Sequence, residues 1–257
     1  WSMPAPARTV PEPHLSSRMP ELPPTPVKND HPEGETEIHS RVHLQPTPTM
    51  NFENPEVQVF LKNVNIGANS RENVVRLYYA VRDSIRYDPY TIELSVEGLR
   101  ASTTISAGRG WCVSKAILLS ALCRAVGIPA RLGFADVRNH LSTERMRKLM
   151  QSDIFVWHGY SSILLDQKWI KATPAFNLEL CQRFGLKSLE FDGTEDSIYH
   201  PFDLEGRRHM EYLKLREEYS DVQIAEIEES FRMEYKLSSS WNRADFEEEV
   251  KQETRQH

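Results

Sequence analysis

The stretch from Ala116 to Val126, AILLSALCRAV, constrains this chain most, because only Ser120 and Arg124 interrupt its apolar residues. A surface helix keeps one polar face. This one has none, so it must be wrapped on nearly all sides, as the central helix of a domain is. Gly127 is placed to serve as its left-handed cap, and Pro129 prevents continuation. With 257 residues the chain is long enough to build a substantial core around such a helix without disulfides or a structural metal.

The elements available to wrap it can be read on both sides. Asn54-Pro55 predicts a helix through roughly Asn63, with asparagine as N-cap and proline at the first helical position. Asn69 and Glu72 have capping-box spacing before a longer helix, with Val74, Val75, Leu77, Tyr78, Val81 and Ile85 on its apolar face; RYDPY, from Arg86 to Tyr90, ends it. After the central helix, strands are expected at Ala130–Val137, Ile154–Leu165 and Lys168–Thr173, the last two joined by a tight turn at Asp166-Gln167. The polar stretch 138–153 reads as a loop with one helix, STERMRKLMQ. Residues 207–236 read as two amphipathic helices before a charged tail.

Eleven of the sixteen prolines lie in the first 48 residues, where apolar side chains are too sparse to offset the entropy of ordering. Residues 1–40 are therefore expected to be a flexible arm, 41–202 a core domain, and 203–257 an acidic helical extension packed on it. PELPPTP in the arm has the composition of an extended polyproline docking segment. His14, His31, His39 and His43 lack the spacing of a metal site.

The net charge of −6 argues against general nucleic-acid binding, and the 15 acidic and 9 basic residues of 203–257 account for all of it. No apolar run approaches a membrane span, and no basic segment followed by an apolar one opens the chain. Cys112, Cys123 and Cys181 are odd in number and irregularly spaced, without zinc-site spacing. A reduced, cytoplasmic setting, no membrane, and no metal or cofactor are the expectations.

Cys123 and Cys181 read as small buried hydrophobes. Cys112 differs, because it opens the central helix. There unpaired backbone N–H groups and the positive end of the helix dipole favour a thiolate, and the same N–H groups suit an oxyanion hole. A nucleophilic thiolate needs a base, for which His140, His158, His200 and His209 are candidates. A two-residue hairpin loop would pair Leu165 with Lys168 and put Ala175 opposite His158. His158 would then share a sheet face with Tyr160 and Ser162 on its own strand and with Thr173, Ala175 and Asn177 across the pair.

GWCVSKAILLSALCRAVGIPAR resembles the cysteine motif of the transglutaminase-like superfamily, in which a cysteine opens a buried helix ending in a Gly-Ile-Pro-Ala-Arg turn. HGYSSILLDQKWIKATP resembles its histidine motif, a strand, a turn and a second strand whose Trp precedes an Asp-Pro. RYDPY resembles the end of the helix leading into the core. The resemblance covers about residues 70–177. It implies Cys112 as nucleophile, His158 as base, and a papain-like α+β fold with the cysteine helix packed on an antiparallel sheet or barrel. The departure is Thr173, which stands before Pro174 where the family has aspartate, and a threonine cannot hold an imidazolium as a carboxylate does. Thr173 as a neutral acceptor, Asn177 as in Cys-His-Asn enzymes, an acid from FDGTEDS (Asp192 or Asp196), or a dead site all stay open.

Around the pair, Trp111 has two readings, roof of the acyl site or core packing, and Arg109 has two, a substrate-carboxylate ligand or a solvated loop arginine. Tyr160 is a further substrate-binding candidate. DVRNH, with Asp136, Arg138, Asn139 and His140, follows a strand where recognition groups often sit, and FDGTEDSIYHP reads equally as a cleft cover or a surface connection. A cysteine–histidine pair at a helix N-terminus performs acyl chemistry on an amide, peptide or thioester, with water or an amine as acceptor. Hydrolysis is slightly favoured over transfer. The competing expectation is a binding module that keeps the fold and uses the cleft for a peptide or small molecule.

Overall fold

The computed structural model describes residues 41–139, 143–198 and 210–235, together with Phe246 and Val250. The arm 1–40 and the candidates His140, His200 and His209 lie outside the described residues.

Local signals set the first elements. Helix α1 (Pro55–Lys62) starts where the Asn54 side chain accepts the Glu56 N–H. Helix α2 (Ser70–Ser84) starts where Asn69 accepts the Glu72 N–H at 3.0 Å, and it buries Val74, Leu77, Tyr78 and Val81. The two-residue strand β1 (Arg86–Tyr87) follows and pairs in parallel with β2 (Arg109–Gly110), which the short helices α3 (Val96–Leu99) and α4 (Ala101–Ala107) deliver to it. Trp111 then caps α5 (Cys112–Ala125), in which every residue from Cys112 to Arg124 is buried.

The polar residues inside α5 are answered one by one, as burial demands. Lys115 donates to the carbonyls of Arg82 and Ile85 and so ties off the end of α2. Ser120 donates to Ser161, which donates to the Ala116 carbonyl. Arg124 spreads its guanidinium over the carbonyls of Ala130, Gln45 and Ser220. Gly127 has the left-handed conformation, φ 77°, that the cap requires.

One face of α5 lies on a curled antiparallel sheet of strand order β5-β4-β3-β6: β3 (Ala130–Asn139), β4 (Ile154–Leu165), β5 (Lys168–Ala172) and β6 (Met210–Tyr219). The short α6 (Glu144–Met150) sits between β3 and β4, and α7 (Leu178–Phe184) follows β5. The β4–β5 hairpin pairs Leu165 with Lys168, and Asp166 and Gln167 have φ of 48° and 64°, the two positive values of a type I′ turn. Beyond Ala172 the expected register stops. Thr173 donates its N–H to the Ser197 carbonyl, so Ala175 is not paired with His158.

Two further expectations are corrected. Residues 210–219 form a strand, so 207–236 contains one described helix, α8 (Ile224–Glu234), instead of two. MEYLKLREEY is rich in helix formers, but the open edge of β3 offers a full ladder of partners, and tertiary pairing overrides that weak preference. Strand β3 runs on through Asn139, so Asp136, Arg138 and Asn139 belong to the sheet and not to a loop. Among the described residues no helix is long and apolar enough to cross a membrane.

Candidate active site

The sheet and α5 meet most tightly at the start of both. A Cβ added to Gly159 would stand 2.9 Å from the Val113 Cα, so glycine is what lets β4 come against the first turn of α5. The backbone N–H groups of Gly159, Val113 and Cys112 itself act on the Cys112 sulfur and favour its thiolate. His158 immediately precedes this contact. On β4 it pairs with Ala135 of β3, beyond the last residue that β5 pairs with.

Burial dominates the electrostatics. Cys112 is 7 % exposed, and desolvation pushes its thiol up to about 11 against the opposing N–H groups. His158 is 6 % exposed, and desolvation lowers it to about 4. Burial thus works against the thiolate that the helix N-terminus favours, and against the imidazolium as well. Aromatic groups of the C-terminal segment lie beside this site. Helix α8 lays Phe231 against Trp111, with ring centroids 6.0 Å apart, and Phe231 packs on Tyr235 at 5.1 Å. The phenols of Tyr235 and Tyr87 both lie within electrostatic reach of the Cys112 sulfur. Tyr235 is fixed by accepting the Val156 N–H at 2.7 Å, and Phe246 packs on Tyr87 and Tyr90.

The remaining candidates separate. Trp111 is buried and packs on Phe231, as the core-packing alternative expects. Arg109 is half-exposed and ion-paired to buried Asp88 at 3.3 Å. Tyr160 is buried, its ring over Gly133 and its hydroxyl donating to Glu218 at 3.1 Å. Thr173 is buried with its hydroxyl lacking a hydrogen-bond partner among the described residues, while its carbonyl accepts from Tyr78. Asn177 accepts the Tyr87 N–H at 3.0 Å, which ties it to β1 beside Cys112. Asp192 closes a turn on Thr194, and Asp196 accepts the Lys171 N–H on the far edge of β5. Among the described residues no side chain donates to or accepts from the His158 ring, and no group of three or more His, Cys, Asp or Glu is arranged to hold a metal ion.

Comparison with known proteins adds a family similarity over part of the chain. No curated protein sequence matches the chain. Among solved structures, a candidate cysteine protease of Cytophaga hutchinsonii is similar at 19 % identity and TM-score 0.42, over 72 % of this chain and 50 % of that one. A candidate protease of Parabacteroides distasonis is similar at 14 % identity and TM-score 0.33, over 54 % and 30 %. The chain thus spans half or less of either protein's length. The family model of the transglutaminase-like superfamily matches residues 61–174, which run from the end of α1 to the residue after Thr173 and contain both Cys112 and His158. The cysteine-bearing helix buried on a curled antiparallel sheet is the papain-like α+β architecture of that group. Over residues 61–174 the chain is thus similar to the transglutaminase-like superfamily.

Proposed function

We propose that the protein is a cysteine-dependent acyl-transfer enzyme, in which Cys112 attacks an amide, peptide or thioester carbonyl and His158 moves the proton. The observation that carries this reading is the contact of Gly159 with the first turn of α5, which brings the residue next to His158 against the cysteine. In the reaction the sulfur adds to the carbonyl carbon, and the thiol proton passes through His158 to the leaving amine, alcohol or thiol. The acyl-thioenzyme is then released to water or to an amine. The N–H groups of Cys112, Val113 and Gly159, already directed at the sulfur, are the donors available to an oxyanion. Hydrolysis is the favoured outcome.

Iodoacetamide labelling against pH, with peptide mapping, tests the pair on wild type and His158→Ala. A Cys112 profile that changes when His158 is removed supports it, and identical profiles oppose it. A second reading, a binding module on the same fold, draws on the absence of a carboxylate at position 173 and on the cover over Cys112. It predicts identical profiles together with saturable binding of a peptide or small molecule.

A further inference from the structure

Strand β4 carries one residue more than β3 between two paired positions: Ala135 lies opposite His158, and then Val137 lies opposite Phe155. The surplus is absorbed beside His158, at Trp157, whose φ of 59° is left-handed. For a bulky side chain that is a genuine outlier, which persists only where its surroundings over-determine it.

Those surroundings come from three elements. Asp136 of β3 accepts the Trp157 N–H at 3.1 Å. Arg216 of β6 grips the same carboxylate with both arms, Nε at 2.7 Å and Nη2 at 2.9 Å, and lays its guanidinium 4.5 Å from the Trp157 ring centre. Ser230 of α8 accepts the Trp157 indole N–H at 2.8 Å. The Asp136–Arg216 pair is mostly buried and forked, the geometry that fixes direction as well as position.

An extra residue reverses the alternation of side chains along a strand, so the sheet face on which His158 emerges depends on this bulge being held. We infer that Asp136 and Arg216 are positioning residues for His158, acting through the left-handed backbone of Trp157. The inference deepens the proposed function and rests on His158 taking part in it. Neither residue touches the reacting atoms; their work is to hold one backbone conformation.

The test is the titration of the His158 ring, followed by NMR of isotope-labelled histidine and assigned with His158→Gln, in Asp136→Ala, Asp136→Asn and Arg216→Ala. Freed from its place, the ring gains solvent. Its pKa is expected to rise by at least about one unit toward the ordinary value near 6.5 in the two alanine variants. Asp136→Asn keeps an oxygen for the Trp157 N–H and should shift less. Val57→Ala, which weakens the core at α1, serves as a control for stability loss and should leave His158 where it is. Alanine variants that melt earlier but titrate like wild type would overturn the inference, as would an equal shift in Val57→Ala. If the alanine variants do not fold, Arg216→Lys, which keeps the charge without the fork, is judged by the same criterion. If the clamp variants move His158 while acylation of Cys112 ignores His158→Ala, the clamp stands and the catalytic reading falls.

Discussion

Gly159 and Val113 approach so closely that a single added methyl group would stand 2.9 Å from a backbone carbon. The contact seats β4 on the N-terminus of α5, and it gives the glycine after His158 a steric reason to be there. Gly159→Ala must push strand and helix apart. Overpacking of this kind costs about 1–3 kcal/mol, so chemical denaturation should show a loss of that size together with a changed labelling rate at Cys112. Unchanged stability would mean that the two backbones have room to part.

The cover over Cys112 yields to a simpler probe. Tyr235→Ala removes the ring that packs on Phe231 near the sulfur, whereas Tyr235→Phe removes only the hydroxyl held by Val156. The alanine variant should alkylate at Cys112 at least tenfold faster than wild type by order of magnitude, with Cys123 and Cys181 unchanged as internal references. The phenylalanine variant should stay close to wild type. Equal acceleration at all three cysteines would indicate general loosening.

Burial of His158 has a consequence for stability. Its folded pKa of about 4 lies below the ordinary 6.5, so the unfolded chain binds the extra proton first. Stability should therefore be fully present above pH 6.5, fall as pH drops toward 4, and lose about 3 kcal/mol across that window from this group. His158→Gln should flatten that part of the stability profile, measured by urea denaturation at a series of pH values. The Cys112 thiol works at the other end. Its pKa is raised to about 11 from an ordinary 9, so its contribution is complete below pH 9 and is lost as pH rises through 11.

Thr173, the residue after β5, has a buried hydroxyl without a hydrogen-bond partner among the described residues. In Thr173→Asp a carboxylate there should favour the imidazolium and raise the His158 pKa by one unit or more, read by histidine NMR. An unmoved titration would show that position 173 does not address the ring in this protein.

Much of this was legible in the sequence because the signals were local. The caps at Asn54 and Asn69, the left-handed Gly127, the two-residue turn at Asp166-Gln167 and the all-apolar course of α5 each depend on neighbours a few residues away. The resemblance around Cys112 and His158 was legible for the same reason, since each motif is one continuous stretch. What escaped depends on distant partners. Strand β6 takes its conformation from the edge of β3 and contradicts its own helical composition. The aromatic groups beside Cys112 include Phe231, which packs on Trp111, and Tyr235, both more than a hundred residues away and outside residues 61–174. Lys115 could have been noticed as a charge in the first turns of a buried helix, but its partners, the Arg82 and Ile85 carbonyls, exist only once α2 is in place.

Acyl-enzyme trapping asks whether Cys112 and His158 act together. Wild type, Cys112→Ser and His158→Ala would be exposed to a small thioester and followed by intact mass and peptide mapping. If they do, one acyl group is expected on Cys112, none at that position in Cys112→Ser, and a rate at least about a hundredfold lower in His158→Ala, the usual size of a general-base contribution. Acylation of Cys112 at the same rate with and without His158, or no acylation of Cys112 at all, would contradict that joint action.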